Sequence, residues 1–276
     1  SYKNLEPLDE SIHKTFLDIF KKYLIVGGMP EAVNTYINTN SMVSIQNVQN
    51  SIYQLYIKDS SQYAKEKTLY IEKIYKYMSS VMSSTKKRIV LNDIKENMRG
   101  TDASDDFIWL EKSGLAIPVY KTNSIEIPLV HYTNNYYLKL YYNDVGILSS
   151  ILFKDIQNEI LDDKISVNLG SIYENYVAQE LRCNIDDLFY YDNRKYGEID
   201  FIFQKLPDVT IIEVKSGKDY YVHSALNNLL KNKTYNISKA IVLSNNNISV
   251  KDGIKYLPIY MTMFLTNDKF TKNIIL

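Results

Sequence analysis

The stretch YGEIDFIFQKLPDVTIIEVKSG, residues 196–217, places Asp200, Glu213 and Lys215 inside two short apolar runs. EIDFIF and TIIEVKS, separated by QKLPD, read as neighbouring strands joined by a turn. Side chains alternate along a strand, so Glu213 and Lys215 share one face while Val214 takes the other, and Glu198, Asp200 and Ile202 share a face of the preceding strand. If the strands pair, Asp200 and Glu213 converge with Lys215 beside them. Magnesium takes oxygen ligands, keeps several waters and needs one or two protein carboxylates. A phosphodiester adds an oxygen of its own, and a neighbouring lysine orients the attacking water or neutralises developing charge. A salt bridge on an amphipathic strand accounts for the same residues, and pattern alone leaves both readings open. Glu174 is equally ambiguous. SIYE fits an S-x-x-E capping box with Ser171 as cap, and the same carboxylate suits a metal ligand or a group supporting one.

Upstream and downstream of this pair the chain alternates in a defined order. From residue 144 it reads helix (GSIYENYVAQELRC), three strands (LFYYDN, EIDFIF, TIIEVKS), helix (YYVHSALNNLLKN) and strand (KAIVLSNN), followed by YLPIYMTMFL. This is an α/β unit with a mostly buried sheet. Residues 9–65 read as helices around the corner GGMPEA, where Gly27 and Gly28 stop one helix and Pro30 with Glu31 open the next. Between the two regions, TLYIEKIYKYMSSVMSS is an amphipathic helix, KKRIVLNDIKENM a short strand leading into a short helix, and TDASDDFIWLEKSGL a further helix before the strand-like AIPVYK and YYLKLYY. Three helices and a hairpin are the layout of a winged helix-turn-helix. The third helix carries Asp102, Asp105, Asp106 and Glu111 against Lys112 alone, which argues against groove entry and for a packing role. The local basic run is Lys86 to Arg88.

Composition bounds the function classes. The 276 residues hold 32 basic and 32 acidic side chains, so nucleic-acid binding must come from a local patch. Cys183 is the single cysteine, which excludes an internal disulfide or a cysteine-rich zinc site, suits a reducing cytoplasm, and reads as packing. No run approaches the ~20 apolar residues of a membrane helix, and SYKNLEPLDESIHK lacks the layout of a signal peptide. The chain begins with Ser on a polar lead into a helix, as expected of a fragment of a longer protein. The 25 tyrosines are scattered through every segment and read as compositional bias.

A helix carrying Glu174, EID on one strand, EVK on the next and then a helix resemble the PD-(D/E)XK nuclease superfamily, whose core order is αβββαβ. With YLIVGGMPEAV, WLEKSGL, YYNDVGIL, GSIYENYVAQEL and IEVKSG, essentially the whole chain resembles the region that follows the nucleotide-binding core in a large prokaryotic family of AAA-type ATPases of unknown function. Members of that family end in a DUF-type, PD-(D/E)XK-like domain. The resemblance implies an α+β multi-domain chain: a helical lid-like segment at 1–66, a winged helix-turn-helix at 67–143 and a nuclease-like α/β domain at 144–276. It implies that Asp200 and Glu213 bind metal, that Lys215 acts with them, and that Glu174 matches the helix carboxylate some members use. Gly27, Gly28 and Pro30 match a lid segment on the nucleotide side. The motif's proline is absent, with Ile199 before Asp200, a departure many members share. The implied cofactor is Mg²⁺ or Mn²⁺. ATP is implied only with an upstream core, since no G-x-x-x-x-G-K-[ST] occurs and this chain alone is not expected to hydrolyse it. The implied partners are that core, DNA and a second copy of the chain, in the cytoplasm and away from the membrane. Two functions follow: a metal-dependent nuclease-like domain, or a catalytically inactive regulatory or protein-interaction module of the ATPase.

Overall fold

The computed structural model describes residues 2–63, 68–84, 87–154, 156–161, 167–232 and 234–266. It divides into two compact units. One comprises Ser1–Asp18, Val119–Asn134 and Glu180–Leu276; the other comprises Ile19–Pro118 and Asn135–Gln179. These units cut across the three domains expected: the boundary at 66/67 lies outside the described residues, and neither unit has an edge at 143/144.

The helical unit begins within α1 (Glu10–Val26) and continues through α2 (Pro30–Thr39) and α3 (Met42–Tyr63), the helices expected at 9–65. Gly27 ends α1 at φ +75°, donating its N–H to the Tyr23 carbonyl at 2.7 Å, where a side chain would be strained. Pro30 occupies the first position of α2, where its missing N–H costs nothing, and Asn40 ends that helix in the left-handed region. Val26, Ala32 and Ile45 form the core of this corner.

Next come α4 (Thr68–Met82), the single turn α5 (Leu91–Ile94) and α6 (Gly100–Lys112). α4 buries Ile71, Ile74, Tyr75, Met78 and Met82, one face at helical spacing. Among the described residues of KKRIV, 87–90, the expected strand does not form. Lys87 turns at φ +47°, and Ile89 alone donates a backbone hydrogen bond to Leu138 at 3.1 Å, too little for a ladder; Lys86 lies outside the described residues. In α6, Ala103, Asp106, Phe107 and Leu110 face inward. Asp102 reaches back to accept the Arg99 N–H at 3.0 Å, so one of the acidic residues that argued against DNA serves as a helix cap.

The strands are β1 (Ala116–Thr122), β2 (Thr133–Tyr142), β3 (Phe189–Asn193), β4 (Gly197–Lys205), β5 (Asp208–Val214), β6 (Lys239–Ser244), β7 (Ser249–Lys251) and β8 (Ile254–Pro258). They form a mixed sheet in the order β2-β1-β3-β4-β5-β6-β8-β7. Helices α7 (Val145–Leu152), α8 (Gln157–Leu161) and α9 (Gly170–Arg182) precede β3, and α10 (Ser224–Leu230) links β5 to the parallel β6. The expected helix, three strands, helix and strand are therefore α9, β3, β4, β5, α10 and β6. β3, β4 and β5 pair antiparallel, and Ile202, Val209 and Ile211 join Leu226 and Leu229 of α10 in one core. Val209 through Val214 are all buried, which is why β5 reads as a continuous apolar run. The β7–β8 hairpin is not among the expected elements although Asp252-Gly253 carries its signal: both residues have positive φ, as a two-residue hairpin turn requires. Cys183, expected in packing, is exposed. Among the described residues no helix is long and apolar enough to cross a membrane.

Candidate functional site

β4 and β5 are joined by Leu206 and Pro207, and their register pairs Phe201 with Ile212 and Ile202 with Ile211. Continuing that register by one pair sets Asp200 opposite Glu213, so both carboxylates lie on one face of the sheet. Asp200 Oδ2 accepts the Val214 N–H at 2.8 Å, which fixes the carboxylate across the strand gap. Lys215 Nζ donates to Glu213 Oε1 at 2.7 Å. Glu213 is buried and Lys215 half-buried, their side chains 11% and 28% exposed, so the pair sits at a partly shielded rim where charge is screened less than on open surface. Asp200 and Glu213 thus share a face of the sheet, and Lys215 pairs with Glu213.

His223, at the cap position of α10, is a buried polar residue that the sequence does not single out. Its Nε2 lies 2.7 Å from the Tyr256 hydroxyl. Burial lowers its pKa below 6.5, and the positive charge of Lys215 lowers it further, so the ring is neutral at neutral pH. No local motif marks it, because its tie to Lys215 and Tyr256 arises from the α10 connection.

Glu174 belongs to the helical unit, where it does not act as a capping-box residue. Ser171 donates to the Met82 carbonyl instead, and the backbone at the start of α9 is met by Asn168, which accepts the Gly170 N–H at 2.9 Å. The Glu174 carboxylate binds Lys87 through Oε1 and accepts from the Tyr141 hydroxyl at 3.0 Å through Oε2, with Lys139 Nζ at 3.9 Å. Beside it, Asn175 clamps the Tyr142 backbone, accepting its N–H at 2.7 Å and donating to its carbonyl at 3.0 Å. Gln179 accepts the Val145 N–H at 2.9 Å and donates to the Tyr23 hydroxyl at 2.8 Å. Asn175 and Gln179 therefore satisfy buried backbone groups of β2 and α7, while Glu174 meets side chains.

The glycine corner has an equally local explanation. Asp144 caps α7 by accepting the Ile147 N–H at 3.1 Å, and its other oxygen accepts the Gly28 N–H at 2.7 Å. A Cβ at Gly27 would stand 2.3 Å from Asp144 Oδ1, and one at Gly146 would stand 2.7 Å from the Val26 carbonyl and 2.8 Å from the Gly27 Cα. GGMP and NDVG are thus two halves of one close backbone contact, with Pro30 starting the helix that follows. Gly146→Ala is expected to cost about 1–3 kcal/mol, because backbone rather than a flexible side chain must yield; urea unfolding measures it, and unchanged stability would show that the approach is looser than these distances.

Among the described residues no group of three or more His, Cys, Asp or Glu side chains gathers to hold a metal ion. The donor set at the sheet is the carboxylate pair Asp200 and Glu213, which suits a hard cation that keeps its waters rather than zinc.

No curated protein and no solved structure matches the chain. Residues 169–262, which include Asp200, Glu213, Lys215 and His223, match a Domain of unknown function (DUF4143), a domain often found C-terminal to AAA-type ATPases. Residues 17–158, just over half of the chain, match a second family model and contain the Gly27–Gly146 contact, so the chain belongs to the family described as Domain of unknown function (DUF8612).

Proposed function

We propose that this chain is the C-terminal part of an AAA-type ATPase and that its β4–β5 site is a metal-dependent, nuclease-like site acting on DNA phosphodiesters. The observation that carries this reading is the shared face of Asp200 and Glu213 with Lys215 Nζ 2.7 Å from Glu213. Asp200 and Glu213 would hold Mg²⁺ or Mn²⁺, which would supply Lewis-acid polarisation of the phosphate and a water of lowered pKa. Lys215 stands beside the carboxylates to orient that water and offset charge on the phosphate. Neutral His223 anchors the loop through Tyr256. The ties of Glu174 to Lys87, Lys139 and Tyr141 support a structural role for it in place of the helix carboxylate of the resemblance. The order of α4, α5, α6, β1 and β2 supports a winged helix-turn-helix used for packing. Gly27, Gly28 and Pro30 meet a nucleotide only with an upstream ATPase core; within this chain Gly27 and Gly28 fit against Asp144 and Pro30 opens α2.

A second reading, a catalytically inactive regulatory module of that ATPase, draws on the same 2.7 Å pair, which is also good salt-bridge geometry. The two separate in one experiment: circular and linear DNA incubated with Mg²⁺ or Mn²⁺ and the chain, alone and joined to an ATPase core. Metal-dependent cleavage lost in Asp200→Ala and Lys215→Ala supports the hydrolytic site. Cleavage unchanged by both substitutions sinks it.

A further inference from the structure

The chain leaving β5 runs beside the end of β6, where the Lys215 N–H donates to the Leu243 carbonyl at 2.8 Å. It reaches Tyr220 and Tyr221 before entering α10, while β6 runs out into Asn245 and Asn246. These four residues, with Glu10 and Lys14, line an open cleft of about 600 Å³. The cleft lies at the carboxyl ends of the parallel strands β5 and β6, the edge where open α/β sheets bind ligands.

The walls of this cleft are held firmly. His13 is occupied on both ring nitrogens, by the Tyr260 hydroxyl at 2.8 Å and the Asn245 carbonyl at 2.9 Å. Asn247 clamps the Leu8 backbone, accepting its N–H at 2.9 Å and donating to its carbonyl at 2.8 Å. What the cleft offers a ligand is an aromatic surface edged by amides and amines. The Tyr220 and Tyr221 rings lie 4.0 Å apart, Tyr256 braces Tyr221 edge-on at 4.9 Å, and Lys251 Nζ sits 5.5 Å from the Tyr221 ring centroid. Tyr221 is 48% exposed beside the cleft, which leaves part of its ring open to a flat partner. A nucleobase is such a partner: its face stacks on tyrosine, its edge meets side-chain amides, and its phosphates meet lysines. The cleft is joined to the carboxylate site through the backbone, since Lys215 bonds the end of β6 at Leu243, two residues before Asn245 of the cleft wall, and Tyr256 touches both Tyr221 and His223.

We infer that this cleft seats an unpaired nucleotide of the polynucleotide whose phosphodiester lies at Asp200, Glu213 and Lys215, so that the substrate class is single-stranded or frayed nucleic acid. The inference rests on the proposed phosphodiesterase reading and adds what flanks the reacting bond. A base stacked in a duplex has no face to offer Tyr221.

The test measures binding of the full chain, without metal, to labelled oligonucleotides of about 12 nucleotides: single-stranded DNA, single-stranded RNA of the same sequence, and blunt duplex. Single strands are expected to bind more tightly than duplex, and the tighter of the two names the polymer. Tyr221→Ala is expected to weaken that binding about tenfold or more, while Tyr221→Trp, which keeps a stacking face, retains it. A 5-bromouracil-bearing strand is expected to cross-link at residues 220–221. Equal binding of duplex and single strand, no binding of either, or Tyr221→Ala binding like the unaltered chain would overturn the inference. Cleavage that requires Asp200 alongside an indifferent Tyr221→Ala removes the substrate class and leaves the hydrolytic site standing. Tyr221-dependent binding without cleavage under any metal removes the hydrolytic reading and leaves the cleft.

Discussion

Glu174→Ala is expected to lower the stability of the helical unit by about 3–5 kcal/mol, because it removes the carboxylate that balances the buried Lys139 and the half-buried Lys87. The Lys139 side chain is 1% exposed and that of Lys87 16%, and the Glu174 carboxylate, reinforced by the Tyr141 hydroxyl, balances both. Removing one partner of a buried pair costs far more than the pair contributes, since the remaining charge cannot regain its water. Glu174→Gln, which keeps hydrogen-bonding capacity but not charge, is expected to lose stability as well. The double substitution Lys139→Met with Glu174→Leu is expected to recover much of it by replacing charge with apolar volume. Chemical unfolding followed by circular dichroism separates these cases, and a double variant no better than Glu174→Ala would contradict the ion-pair explanation. The same network sets a pH dependence. Burial alone would raise the Glu174 pKa, but Lys139, Lys87 and the hydrogen bonds from Lys87 and Tyr141 outweigh it and hold the carboxyl below its ordinary 4.5. A depressed carboxyl pKa contributes stability that is present above the unfolded value and lost as pH falls through the folded one. The unaltered chain is therefore expected to lose stability below about pH 4.5 more steeply than Glu174→Gln.

Lys215→Ala is expected to reduce metal-dependent DNA cleavage by about 10²–10³-fold, the usual effect of removing a preorganised group that stabilises charge developing in the transition state. Such a group acts on the rate constant of the chemical step more than on substrate affinity, so single-turnover rates at saturating enzyme are the appropriate readout. The substitution also leaves buried Glu213 without the amine now 2.7 Å away, and its thermal unfolding must be compared with that of the unaltered chain. Lys215→Arg provides the control: the charge and the bond to Glu213 persist, and the fold with them. A regulatory module behaves differently, losing stability in Lys215→Ala with no cleavage to lose.

Much of the β4–β5 hairpin was legible because strand parity and a short turn are local properties. Two short runs joined at Leu206 and Pro207 constrain which side chains share a face before any partner strand is known. Gly27 and Pro30 were legible for a similar reason, as each has a backbone conformation that few residues supply. Residues whose work is done across long sequence separations were not. SIYE has the spacing of a capping box, yet Glu174 meets Lys87 and Lys139, contacts 87 and 35 positions away that no local pattern reveals. Asn175 and Gln179 carry no local signal of the backbone groups of β2 and α7 that they meet. KKRIV has strand composition, but of its described residues only Ile89 bonds a neighbouring strand through its backbone. Tyrosine abundance hid the pair that lines the cleft, since Tyr220 and Tyr221 differ from the buried Tyr141, Tyr142, Tyr190 and Tyr191 only in their surroundings.

The site itself is tested most directly by Mn²⁺ binding, titrated calorimetrically on the full chain and on Asp200→Ala and Glu213→Ala, each checked to be folded. One ion per chain is expected for the unaltered protein, with binding lost in both variants, because a two-carboxylate site does not survive the loss of either oxygen donor. Binding that both variants retain, or a folded, unaltered chain that takes up no ion, would contradict a metal site at Asp200 and Glu213.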